Sequence, residues 1–161
     1  MVPFKIGFGF DTHKLEEGRP FRLGGIEISH HRGPAGHSDA DVLIHAICDA
    51  MLGAVGLRDI GSQFPDTDPA YKNIDSRILL RRTNELLKER GYSIGNIDST
   101  VVCETPRLSA HIPAMVEKIA IALKCGSGKI NVKAKTEEGL GFTGTGEGIK
   151  AYAVALLERT A

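Results

Sequence analysis

Phe4-Lys5-Ile6-Gly7-Phe8-Gly9-Phe10-Asp11-Thr12-His13 is the stretch on which the rest of the chain turns. Phe4, Ile6, Phe8 and Phe10 alternate with small or polar residues, the period-2 pattern of a half-buried strand. Alternation sends Lys5, Gly7, Gly9, Asp11 and His13 to the opposite face. Asp11 and His13 therefore point the same way at the expected end of the strand. A carboxylate and an imidazole so placed can share one cation; the same pair also fits a frayed strand end with two solvated polar groups. Gly7 and Gly9 leave their face bare, which predicts the close approach of another group.

The chain of 161 residues has the length of one domain, spanning residues 1–161. Lys+Arg and Asp+Glu balance at 20 each, which excludes the basic footprint of a nucleic-acid-binding protein or of one held to an anionic membrane. A local phosphate site needs only a few donors and stays open. Cys48, Cys103 and Cys125 are odd in number and far apart, so neither a disulfide framework nor a C-x-x-C metal site is expected. They read as small apolar residues in a reducing compartment. No apolar run is long enough to span a bilayer. A strand begins at once, so no signal or transit peptide is expected in this stretch.

Outward from the first strand, Phe21 to Leu23 and Ile26 to Ile28 read as strand pieces around a Gly24-Gly25 turn. Val42 to Gly53 reads as a buried helix, with Ser38 or Asp39 as its N-cap. Asp41, His45 and Asp49 form a polar stripe on it at i, i+4, i+8. The stripe is either solvent-facing or buried with partners, and a metal is one such partner. Asp75 caps a second helix that stops at Gly91. Ile94 to Glu104 is a strand, Pro106 is expected to open a further helix, and Lys129 to Thr136 is a strand. The segment from about Glu147 to Arg159, with Ile149, Tyr152, Ala153, Leu156 and Leu157 on one side, is predicted as a final helix. Strands and helices intermix, which favours a mixed sheet with helices on one face.

Gly139-x-Gly141-x-x-Gly144 matches the dinucleotide fingerprint, but the chain ends before the second strand that a Rossmann unit needs. What remains is a loop of backbone N–H groups suited to an anion.

Phe10-Asp11-Thr12-His13, then His37-Ser38-Asp39-Ala40-Asp41-Val42 with His45, then Asp59-Ile60-Gly61 and Phe64-Pro65-Asp66-Thr67-Asp68-Pro69, form an ordered series. Ala134 to Glu138 and Gly139-Leu140-Gly141-Phe142-Thr143-Gly144 continue it. Over essentially the whole chain this series resembles the 2-C-methyl-D-erythritol 2,4-cyclodiphosphate synthases of the non-mevalonate isoprenoid pathway. The resemblance implies an α+β fold: a mixed four-stranded β-sheet with helices on one face plus a small β-hairpin, assembled as a homotrimer with sites between subunits.

It implies zinc on Asp11, His13 and His45, and magnesium or manganese at Glu138. It implies catalytic roles for His37 and Thr136 near the transferring phosphate. Ser38, Asp59, Ile60, Gly61, Phe64, Pro65, Asp66, Thr67 and Asp68 match the methylerythritol side, and Thr12 matches a substrate-binding position. Cys103, Glu104, Thr105, Pro106, Arg107, Leu108 and Ser109, with Ala134, Lys135 and Thr136, match a cytidine pocket. Glu137, Phe142 and Thr145 also match substrate-binding positions. Asp49, one turn past His45, is expected to orient a metal ligand from behind.

The implied reaction is an intramolecular attack of a 2-phosphate on a diphosphate of the same cytidine diphosphate substrate, releasing CMP; with it, Gly7 and Gly9 before Asp11 read as clearance for the phosphate-bearing substrate. No nucleic acid or membrane partner is implied, and the implied compartment is bacterial cytoplasm, or a plastid after transit-peptide removal. A phosphodiesterase that admits water would use the same residues. A non-enzymatic binding module would not need Asp11, His13, His45 and Glu138 together. Thr145 stands where many relatives carry Arg, and Lys135 where a threonine is common.

Overall fold

The structure is a computed structural model and describes residues 3–161. Its first strand, β1 (Phe4–Glu17), runs well past His13. Beyond it lie β2 (Phe21–Leu23) and β3 (Ile26–Ile28), a hairpin whose turn residues Gly24 and Gly25 both have positive φ, 61° and 79°. Such a turn asks for glycine at both positions. β4 (Arg32–Pro34) returns to pair with the far end of β1.

The main sheet has five strands, not the four implied by resemblance. Their order is β4-β1-β7-β5-β6, with β5 Tyr92–Val102, β6 Ile130–Lys135 and β7 Gly148–Arg159. Only β5 and β6 run parallel.

The segment predicted as a final helix is β7. Its apolar residues satisfy both periods, because Ala151, Ala153 and Ala155 fill the gaps in the supposed helical stripe. Ile149, Ala151, Ala153, Ala155 and Leu157 are the buried set, one face of a strand. The neighbours decide between the two periods. β7 lies between β1 and β5 and pairs with both, from Lys14↔Gly148 to Phe4↔Glu158 on one side and from Val102↔Lys150 to Tyr92↔Arg159 on the other. A helix there would leave two long rows of backbone groups unpaired.

Helices α1 (Val42–Ala54), α3 (Ser76–Glu89) and α4 (Ile112–Leu123) cover one face, while α2 (Ile60–Gln63) and α5 (Gly141–Gly144) are single turns. α3 is capped by Asp75 and ends at Glu89, with Arg90 as C-cap and the predicted stop Gly91 just beyond at φ 78°. α4 starts six residues after Pro106, behind a 3-10 turn at Ser109–His111, with Pro113 in its first turn, a position where a missing N–H costs nothing. Among the described residues no helix is long and apolar enough to cross a membrane.

α1 lies across β1 and β7, and its residues are buried except Asp49 and Gly53. A Cβ at Gly7 would collide with the Ala50 carbonyl oxygen, and one at Gly9 with the backbone of Ala46 and Ala50. The group that approaches the bare face is therefore the α1 backbone, not a ligand. The Phe face is the exposed one: Ile6, Phe8 and Phe10 are 64%, 59% and 60% accessible, and Phe8 and Phe10 flank Tyr152 at ring separations of 6.2 and 6.5 Å.

Gly7→Ala is expected to lower stability by about 2 kcal/mol or more through backbone overpacking. Gly128→Ala, where an added Cβ meets nothing, should stay within about 0.5 kcal/mol. Urea unfolding of the two variants checks the difference.

Candidate functional site

β1 delivers Asp11 and His13 to the end of the sheet where α1 begins. The N-cap of α1 is Asp41, rather than Ser38 or Asp39. Its Oδ1 accepts from the N–H groups of Ile44 (3.1 Å) and Gly24 (2.9 Å), and its Oδ2 from Gly25 N–H (2.8 Å). Burial and the nearby Asp39 push this carboxyl upward, while the three N–H donors favour its anion. Asp41 thus ties the β2–β3 turn to the helix, and one turn further on stands His45.

The polar stripe on α1 therefore holds three separate jobs. Asp41 caps and His45 enters the site. Asp49 accepts from Ile60 N–H at 3.2 Å and anchors α2, so it does not stand behind a histidine as expected from the sequence.

Asp11, His13 and His45 converge. Asp11 Oδ2 lies 2.8 Å from His13 Nε2 and 2.9 Å from His45 Nδ1, and the two ring nitrogens are 3.4 Å apart. Ligands at about 2.1 Å around a tetrahedral zinc stand about 3.4 Å from one another, so the three donors need to open by no more than about 0.6 Å. Burial opposes charge on Asp11, but the two histidines within hydrogen-bond distance of it outweigh burial and hold the carboxyl well below the usual range. Burial likewise disfavours charge on His13, and the Asp11 carboxylate overcomes it and holds the imidazole above its ordinary value. Two neutral-capable imidazoles and one firmly ionised carboxylate make a donor set suited to a divalent cation. Among the described residues no other such group of three occurs.

Each ring is oriented from behind. His13 Nδ1 lies 2.9 Å from the Ala35 carbonyl, and His45 Nε2 lies 2.9 Å from Ser76 Oγ and 3.1 Å from Ser38 Oγ. Ala35 and Ser76 were missed at the sequence level. Ser76 is simply the first residue of α3, and nothing in its local sequence links it to His45.

A cavity of about 290 Å3 opens beside the triad. His37, Ser38, Ile60, Gly61, Phe64 and Asp66 line it, together with Tyr71, which the sequence did not single out. His37 Nε2 is buried with no hydrogen-bond partner. Asp59 and Asp68 shape the wall by capping turns, accepting from Ser62 N–H at 2.8 Å and Ala70 N–H at 2.9 Å; Pro65 and Thr67 do not line the cavity.

A second cavity, about 520 Å3, is lined by Cys103 to Ser109 and Ala134 to Thr136 and shares no residue with the first. A third, about 570 Å3, brings Thr12, Lys14 and Phe142 against His13. Glu138 is exposed, with φ 53°, in the loop before α5, apart from the converging donors. Its neighbour Glu137 is tied within the chain, to Lys150 Nζ at 2.8 Å and to the Thr143 hydroxyl. Thr145 Oγ1 donates to the Phe142 carbonyl at 3.3 Å. Burial pushes the Cys48 and Cys103 thiols up to about 12, so neither is a ready nucleophile.

A helix-backed mixed sheet with an Asp-His-His cluster at its end and open cavities on either side defines an α+β protein whose triad could hold a metal ion beside a small-molecule-sized cavity. A sequence profile of the YgbB family matches residues 4–158. A 2-C-methyl-D-erythritol 2,4-cyclodiphosphate synthase from Porphyromonas gingivalis is 58% identical over 155 residues, 96% of each chain. The fold matches a solved synthase in its CDP-bound form with TM-score 0.88 and 38% identity, over 96% of this chain and all of that one. It also matches the bifunctional IspDF of Campylobacter jejuni with TM-score 0.93 and 42% identity, over 97% of this chain and 42% of that longer one. The chain belongs to the YgbB family, that of the 2-C-methyl-D-erythritol 2,4-cyclodiphosphate synthases.

Asp41→Ala strips two buried N–H groups and one half-buried one of their acceptor and should cost about 2–4 kcal/mol, read as a lowered denaturation midpoint with an unchanged slope.

Proposed function

We propose that this chain converts 4-diphosphocytidyl-2-C-methyl-D-erythritol 2-phosphate to 2-C-methyl-D-erythritol 2,4-cyclodiphosphate with release of CMP, as a cyclising phosphorus–oxygen lyase of isoprenoid precursor biosynthesis. The observation that carries this reading is the convergence of Asp11, His13 and His45 in a chain 58% identical to a synthase of that name.

The reaction needs no side-chain nucleophile. It needs the two ends of a flexible polyanion held together and its charge offset. A zinc ion on Asp11, His13 and His45, with magnesium or manganese at Glu138, supplies Lewis-acid polarisation of phosphoryl oxygens. The chain's own residues do the rest. Asp11 stays ionised and keeps both imidazoles turned inward. His37 offers its unpartnered Nε2 to a phosphate in the 290 Å3 cavity. Ile60, Gly61 and Phe64 make that cavity's apolar and backbone wall against the methylerythritol unit. The 520 Å3 cavity takes the cytidine, with Lys135 adding a positive charge and Thr136 a hydroxyl near the phosphates. Backbone N–H groups of the loop at Gly139 to Gly144 add anion donors.

The reading includes a homotrimer with composite sites. Two features support it. The Phe4, Ile6, Phe8, Phe10 and Val154 face is exposed opposite the helices, an apolar patch of the kind that marks an interaction site. The zinc-side and cytidine-side cavities also share no lining residue within one chain.

Purified protein is expected to carry about one zinc per chain, lost in His45→Ala; a parent protein without bound metal in elemental analysis would remove the central claim. With substrate and magnesium, mass spectrometry should show CMP and a cyclic diphosphate, whereas a linear product identifies a hydrolase. Glu138→Gln should reduce turnover about 100-fold or more, the scale of a lost transition-state charge contact, while zinc content holds. Phe8→Glu should shift the sedimentation of the protein from trimer toward monomer.

A further inference from the structure

Ser76 is fully buried, yet it carries a hydroxyl wedged between an imidazole and a carboxylate. Its backbone N–H donates to Asp39 Oδ2 at 2.9 Å and its hydroxyl donates to Asp39 Oδ1. Asp39 has only acceptors, so the direction of this pair is set. With its proton committed to Asp39, Ser76 Oγ turns a lone pair toward His45 Nε2, 2.9 Å away. That lone pair accepts a hydrogen bond only if His45 carries its proton on Nε2.

The tautomer matters because His45 faces Asp11 with its other nitrogen. Nδ1 lies 2.9 Å from Asp11 Oδ2 and 3.4 Å from His13 Nε2, on the side where the three donors converge. A protonated Nδ1 would donate to Asp11 and close that point; a bare Nδ1 leaves a lone pair aimed into it. The two tautomers are therefore in competition, Asp11 favouring one and Ser76 the other. Ser38 Oγ also lies near Nε2, at 3.1 Å, but it accepts from Ala40 N–H at 3.2 Å, keeps its own proton free, and lines the open cavity. It does not fix a direction as Ser76 does.

We propose that Ser76, held by Asp39, is a positioning residue that selects the Nε2–H tautomer of His45 and so presents Nδ1 as a metal ligand. The inference rests on the metal reading of Asp11, His13 and His45. It assigns a use to the only buried hydroxyl bonded to that triad among the described residues and a second use to the Asp39 carboxylate, whose Oδ1 also accepts from Asp41 N–H at 3.2 Å. Because Asp75, not Ser76, caps α3, Ser76→Ala does not remove the cap.

Two measurements test it. Nitrogen-15 NMR of the metal-free protein should show His45 as the Nε2–H tautomer in the parent and moved toward Nδ1–H in Ser76→Ala, a change that mere loosening of the fold would not direct. Zinc titration against a chromophoric chelator should show affinity about 10- to 100-fold weaker in Ser76→Ala. Asp39→Asn, which keeps the volume and removes the fixed acceptor, should move both readouts the same way by less, and it decides alone if the alanine variant does not fold. An unchanged tautomer with unchanged zinc affinity overturns the inference. A parent that binds no zinc overturns the metal reading instead, which the metal-free NMR arm distinguishes.

Discussion

The close approach of α1 to β1 is the constraint on which the structure depends. Gly7 and Gly9 admit the carbonyls of Ala46 and Ala50 where any side chain would collide. That contact lays the helix flat on the sheet. It sets the distance at which His45, one turn from the N-cap, meets Asp11 and His13 on the strand. Larger residues at the glycines would lift the helix and separate the three donors, because a packed interior does not deform continuously.

The end of the sheet is then fixed by carboxylates that each tie a different pair of elements. Asp41 gathers N–H groups from the hairpin turn and the helix start. Asp39 reaches across to the start of α3, and Asp49 holds α2. Each satisfies buried backbone donors that would otherwise be costly. Together they close the shell around the two histidines while leaving the far side of the triad open to the cavity. The triad is held from behind by the Ala35 carbonyl and the Ser38 and Ser76 hydroxyls, and its open side faces the wall that residues 60–66 help to supply.

The same geometry explains the exposed aromatic face. Burying the glycine side of β1 against α1 leaves Phe8, Phe10 and Tyr152 pointing away from the only helices that could cover them. A partner surface, as in the proposed trimer, is the natural complement, and it fits the separate linings of the 290 and 520 Å3 cavities within one chain.

Much of this was legible in the residues. Alternation placed Asp11 and His13 on one face. The caps at Asp75 and Gly91 bounded α3, and the double glycine marked the hairpin. The stretches Cys103 to Ser109 and Ala134 to Thr136 were grouped through resemblance, and the structure folds them into one cavity. Three things only the tertiary structure decided. The apolar run at Gly148 to Arg159 suits a helix and a strand equally, and it became a strand because β1 and β5 both needed a ladder partner. The glycines of β1 are compatible with any close neighbour, and packing chose the helix. The role of Ser76 was invisible, because a serine at the start of a helix looks the same whether it faces water or an imidazole from another element. Periodicity reports local geometry; which groups meet across 31 residues of chain, as Ser76 and His45 do, is settled only by the fold.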